Sequence, residues 1–114
     1  MTNLSHIKKH KKLYYFSRAE LSNILSTYSA RVASGEWRDY ALDNSHDAAL
    51  FSMYRHAHET PVLVIEKRKL HNGLNSMFLL HDRNKTLNKS SSLDCVILYL
   101  NNLCLLYTSP SPRD

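Results

Sequence analysis

The sequence predicts an α+β domain in the order α-β-β-β-β-α: a helix, a four- to five-stranded antiparallel meander sheet and a C-terminal helix, with both helices on one face. Three observations predict it. A helix-start signature at Ser17–Glu20 opens an apolar stripe that closes at Gly35. After Gly35 the apolar residues fall into short aromatic and β-branched runs separated by turn formers. A second helical stripe then follows Ser90-Ser91-Ser92.

Taken in order, Met1–Lys12 has no periodicity and is expected to be a flexible basic arm. Ser17 and Glu20 have the spacing of a capping box, in which each side chain satisfies a backbone N–H left over at the helix start. Phe16 and Leu21 flank that cap as a hydrophobic staple. Leu21, Ile24, Leu25, Tyr28 and Val32 share one helical face, so the helix is expected from about Arg18 to Ser34. Gly35 can take the left-handed conformation that ends it. Strands are expected at Trp37–Asp43, Ala48–Ala57, Pro61–Lys69 and Ser76–His81, with a short fifth around Lys85–Asn88. The connections between them are too short to hold crossover helices, so neighbours should be antiparallel. Leu93, Val96, Ile97, Leu100 and Leu103 form the second helical stripe.

The chain has 114 residues, 43% hydrophobic and 22% charged, which suits a single domain spanning Leu13–Leu103. Its net charge of +5 is uneven. Lys8, Lys9, Lys11 and Lys12 put four positive charges on the arm, whereas Leu13–Leu103 carries ten Lys/Arg against nine Asp/Glu. No apolar run approaches the roughly 20 residues of a membrane span, and no apolar stretch follows the first lysines as in a secretory signal. A cytoplasmic protein without membrane contact is expected. The stretch Cys104–Asp114 resembles one reading frame of a transposase-type sequencing adapter. The natural part of this chain is therefore expected to run to about Leu103 and to continue into reagent-derived sequence, leaving 104–114 a disordered, non-native tail. Cys95 then stands alone, and a lone cysteine supports neither a disulfide nor a cysteine metal site.

Motifs for catalysis are lacking: there is no G-x-S-x-G, no P-loop and no glycine-rich fingerprint. Asp39, Asp43 and Asp47 lie in or beside turns, where solvation is the ordinary fate of a carboxylate. A non-enzyme is expected. His56-x-His58, with His71 or His81 as a third imidazole, is the candidate metal set. Its spacing matches no strong motif and these residues fall at strand ends and turns, so no metal and no cofactor are expected. Binding is a richer prospect. On a strand, Trp37, Asp39, Ala41 and Asp43 would share one face and Arg38, Tyr40 and Leu42 the other. Arg38 and Tyr40 could meet phosphate and base, or Tyr40 and Leu42 could be core with Arg38 paired to a carboxylate. Arg55, Lys67, Arg68 and Lys69 could complete a basic patch with the arm, or Lys67-Arg68-Lys69 could protect a sheet edge.

The segments Tyr15-Phe16-Ser17-Arg18-Ala19-Glu20-Leu21, Gly35–Asp43, Phe51-Ser52-Met53-Tyr54-Arg55 and Ile65-Glu66-Lys67-Arg68 resemble a bacterial family, domain of unknown function 2794, found mainly in alphaproteobacteria. The likeness covers about Leu13 to Leu103. It implies a bacterial cytosolic origin and brings no activity, ligand or catalytic residue with it.

The leading expectation is a small non-catalytic binding module for single-stranded nucleic acid or RNA, contacted by Arg38, Tyr40, Arg55, Lys67, Arg68 and Lys69. The alternative is a protein-interaction or regulatory domain, including a homodimer joined through its sheet edge or C-terminal helix. The sheet face away from the helices separates the two. Aromatics flanked by Lys/Arg there would favour nucleic acid, and an apolar patch would favour a protein.

Overall fold

A computed structural model of the chain describes residues 12–56, 59–71 and 73–108, with side chains through Leu103. Helix α1 spans Arg18–Ala33. At its start the Glu20 N–H donates to Ser17 Oγ (3.1 Å) and the Ser17 N–H donates to Glu20 Oε1 (2.7 Å), the reciprocal bonds of a capping box. Phe16 is buried and Leu21 packs against the same core, as a staple requires. The far end is closed by two backbone bonds of 2.9 Å, from Gly35 to Val32 and from Glu36 to Arg31. That 5→2 and 6→1 pattern needs a left-handed residue between them, and Gly35 supplies it at φ +84.

The turn changes the expected setting of Trp37. It does not share an outward strand face with Asp39; it precedes the strand, is buried, and stacks on Tyr28 with ring centroids 5.9 Å apart. The indole thus packs against α1 before the strand begins.

Among the described residues five strands follow: β1 Asp39–Asn44, β2 Ala48–Tyr54, β3 Leu63–Lys69, β4 Ser76–His81 and β5 Thr86–Ser90. Their spatial order is the order of the sequence, and every neighbouring pair is antiparallel. The fifth strand runs to Ser90, two residues beyond its expected end, and a register shift at Leu80/His81 kinks its pairing with β4. β3 begins at Leu63 rather than Pro61, since proline has no N–H to give; Val62 makes the bond to Met53 O instead. The β4–β5 turn is held by Asp82, whose carboxylate accepts from the Asn84 and Lys85 N–H groups at 2.8 Å.

Alternation along the strands separates the two faces. One row of the inner face reads Leu42, Phe51, Ile65, Leu80, Asn88 across the sheet. Phe51, Ile65 and Leu80 are fully buried beneath the helices. Helix α2 spans Leu93–Thr108 and buries Leu93, Val96, Ile97 and Leu100 over β4 and β5. α1 contributes Ile24 and Tyr28 to the same cluster, so both helices cover one face. They run parallel, joined by Asn23 Nδ2 donating to Asp94 Oδ1 (3.0 Å) and, further along both helices, Arg31 Nη2 donating to Asn101 Oδ1 (3.4 Å). The backbone stays helical to Thr108, past the boundary expected at Leu103. Leu105 and Leu106 are strong helix formers and continue the winding. Residues 109–114, like Met1–Lys11 of the expected arm, lie outside the described residues. No helix among the described residues is long and apolar enough to cross a membrane.

Candidate functional site

The six residues expected to bind nucleic acid occupy different places. Lys67 lies on the helix side, where its ammonium meets Glu20 Oε1 (2.9 Å), donates to Tyr15 O (2.9 Å) and stands 4.9 Å from the centre of the Tyr14 ring. Lys69 approaches the same ring at 5.3 Å. The N-terminal segment is pinned here: the Tyr14 N–H donates to Ser45 O (2.8 Å), its hydroxyl bonds Ser76 Oγ, and Asn44 Nδ2 donates to its carbonyl (2.8 Å). Glu20 therefore joins the cap of α1 to β3. Burial raises its carboxyl, but the bonds from Lys67 and Ser17 outweigh this and hold it below the ordinary glutamate value.

Arg68 projects from the opposite face of β3. Its guanidinium grips Glu66 through Nε (2.9 Å) and Nη2 (3.2 Å), and His81 Nε2 meets the same carboxylate at 2.8 Å. A carboxylate can only accept here, so Nε2 carries a proton. His81 Nδ1 lies 2.9 Å from the Thr86 hydroxyl, which ties β3, β4 and β5 together. Burial pushes the Glu66 carboxyl up, and the Arg68 and His81 bonds bring it below the ordinary range. Beside this network Leu79 is buried, and an open cleft of about 410 Å³ runs between Arg68 and Lys89 over it.

Arg38 and Arg55 are exposed at the other end of the sheet, next to Tyr54, whose carbonyl accepts from the Arg38 N–H (2.9 Å). Thus Arg38 and Arg55 are brought together, and Lys67 and Lys69 are brought together, but a sheet face and most of a strand length separate those pairs. Tyr40 belongs to the helix side. It stacks on Phe51 with centroids 4.9 Å apart and meets Tyr28 edge-on at 5.0 Å.

Of the candidate metal ligands, His56 and His71 are exposed, His81 is engaged as above, and His58 lies outside the described residues. Among the described residues no three His, Cys, Asp or Glu side chains are grouped to hold a metal ion.

The feature that sequence reasoning mentioned without locating is the β1 edge. The Lys69 N–H donates to Asp47 O (2.8 Å), which makes 69/47 a hydrogen-bonded pair; two-residue steps give 67/49, 65/51 and 63/53 the same geometry. The even residues of β2 therefore address β1, and their partners Asp39, Ala41 and Asp43 face back. The backbone groups of Tyr40, Leu42 and Asn44 point outward, away from the sheet. Consistent with this, the Tyr40 N–H is capped by its neighbour's carboxylate, Asp39 Oδ1, at 2.9 Å. Tyr40 and Leu42 are each 42% exposed although they sit on the core-facing side. Asp39 and Asp43 are exposed on the other side. The meander expected from the short connections places β1 at an edge and alternation places its side chains, but how far Tyr40 and Leu42 stay exposed depends on how the helices cover that face.

No curated protein and no solved structure matches the chain. A family described as Protein of unknown function (DUF2794) matches residues 14–97, from the tyrosine that anchors the N-terminal segment to the second turn of α2. That span takes in α1, the whole sheet, the Glu20–Lys67 junction and the β1 edge, and the chain belongs to this family.

Proposed function

We propose that this chain is a non-catalytic protein-interaction module that docks its partner on the β1 edge. One observation carries the reading: among the described residues β1 is an outer strand of the sheet, on which two large apolar side chains, Tyr40 and Leu42, stay half exposed. Tyr40 is rigid as well as exposed, because Phe51 and Tyr28 hold its ring from behind. A preorganised apolar surface beside backbone groups turned away from the sheet is what strand addition uses.

The nucleic-acid expectation draws less support from the geometry. Stacking platforms need aromatic rings beside cations on an open face. On the strands of the open face the aromatic is Tyr54, paired in register with Asp39 and distant from Arg68 and Lys89. Lys67 and Arg68 are already committed to Glu20 and Glu66.

A photo-crosslinking amino acid placed at Leu42, and separately at Lys89, tests the proposal in a bacterial cell. Protein adducts at Leu42 and none at Lys89 are expected. Fluorescence anisotropy with short single-stranded DNA and RNA gives the counter-test. Binding at low salt that disappears in Arg38→Ala or Arg55→Ala, with no adduct at Leu42, would overturn the proposal.

A further inference from the structure

Resting on the reading of β1 as a docking edge, we infer that its occupant is an extended antiparallel segment with a basic–apolar–any–apolar–basic pattern, lying opposite Asp43, Leu42, Ala41, Tyr40 and Asp39 in that order. Charge decides the outer positions. From Asp39 through Asp47 the chain carries three aspartates and no lysine or arginine. Asp39, Asp43 and Asp47 are all exposed. In an antiparallel pair directly opposite side chains are neighbours, so cations on the incoming strand would stand across from Asp39 and Asp43. The inner positions follow from Tyr40 and Leu42, whose exposed faces an apolar partner would cover. The strand's own backbone supplies the rest: Tyr40 and Leu42 present their N–H and C=O groups outward. The Asp39 carboxylate now holds the Tyr40 N–H. An incoming carbonyl takes that donor, and the freed carboxylate turns to the partner's cation.

The same charges disfavour a second copy of the chain. Two β1 strands related by a two-fold axis at Ala41 would match Tyr40 with Leu42 on the apolar side. That register also sets Asp39 directly opposite Asp43 twice over, and like charges in opposite positions destabilise a strand pair. Sliding the pair by one residue would turn the apolar side chains to the wrong face, and sliding it by two would set Tyr40 opposite Asn44 or Leu42 opposite Arg38.

The test uses a short peptide with a central Lys-Val-Thr-Val-Lys and its counterpart with Glu in place of both Lys. Amide chemical shifts locate binding on the full chain, and calorimetry measures it. The basic peptide should shift the Tyr40 and Leu42 amides and bind about tenfold more tightly than the acidic one, as two charge pairs change sign. The double variant Asp39→Lys, Asp43→Lys should reverse that order. Leu42→Pro removes an outward N–H that β2 does not use, so it should abolish peptide binding with the β2–β5 amides still protected from exchange. Equal binding of both peptides at β1 would overturn the charge pattern and leave the docking edge standing. Concentration-dependent dimerisation that protects the β1 amides would likewise replace the basic segment by a second copy. Peptide-induced shifts confined to α2 or to the Leu79 cleft would overturn the inference and the docking edge together.

Discussion

The two outer strands of the sheet are protected very differently. β5 lies beneath α2, is kinked by the register shift at Leu80/His81, is preceded by Lys85 and carries Lys89 near its end. Those are three ordinary devices against unwanted pairing. β1 has regular pairing with β2 along all six residues and keeps two large apolar side chains half exposed. Its charges are acidic where those of β5 are basic. Among the described residues, one edge is guarded by cations and a helix, while the other is regular and sets half-exposed apolar side chains beside exposed aspartates. The contrast also explains why α1 touches β1 through aromatic rings: Tyr28 steadies Tyr40 without covering it.

The largest expected effect comes from the residue that supports the β1 side. Phe51→Ala removes the ring on which Tyr40 stacks and opens a cavity at the centre of the inner row. It should cost about 3–5 kcal/mol in a urea titration. Hydrogen exchange should show β1 loosening more than β5; equal loosening would mean that Tyr40 is held by the strand and not by the rings behind it.

The capping box gives a smaller effect. Ser17→Ala should cost about 1 kcal/mol in the same measurement. Because Glu20 also meets Lys67, losing the cap should unfasten the Tyr14–Phe16 segment from the β1–β2 turn, seen as faster exchange of the Tyr14 amide. Unchanged exchange there would separate the cap from the clamp.

Much of this was legible in the sequence, and the boundary has a physical basis. The cap, the staple, Gly35 and the Asp82 turn are contacts among residues a few positions apart, so their spacing encodes them directly. Alternation likewise sorted Tyr40 and Leu42 from Asp39 and Asp43. Lys67 looked like one member of a basic cluster because its partner, Glu20, lies on another element. Arg68 and His81 meet through Glu66 for the same reason: strand register, which the residues of a single strand cannot state, brings them together. The β propensity of Trp37 reads as strand, and the turn at Gly35 instead puts it in the core before the strand begins.

Acid should weaken the ties on both faces of β3. Glu20 and Glu66 both titrate below the ordinary glutamate value in the folded protein. The unfolded chain therefore binds their protons first as pH falls. Their contribution is fully present above about pH 5 and is lost as pH drops through about 4 and below. Thermal melts across that range should decline less steeply for Glu66→Gln than for the parent; an unchanged slope would remove the Arg68–Glu66–His81 network as an acid-sensitive tie. The smallest effect is expected at the guarded edge. Lys89→Val should alter melting little and raise the rate of aggregation, read by light scattering at high protein concentration.

The sequential order of the strands has a consequence for how the chain is made. Each hairpin closes a short loop, so the meander can zip up strand by strand as it leaves the ribosome. The two parallel helices cannot. α1 is synthesised first, yet Asn23 and Arg31 find their partners only when Asp94 and Asn101 have emerged. For most of synthesis the inner row of Phe51, Ile65 and Leu80 has half its roof. A nascent chain from which Ser90 has emerged and Leu100 has not should therefore be the one that depends most on a chaperone.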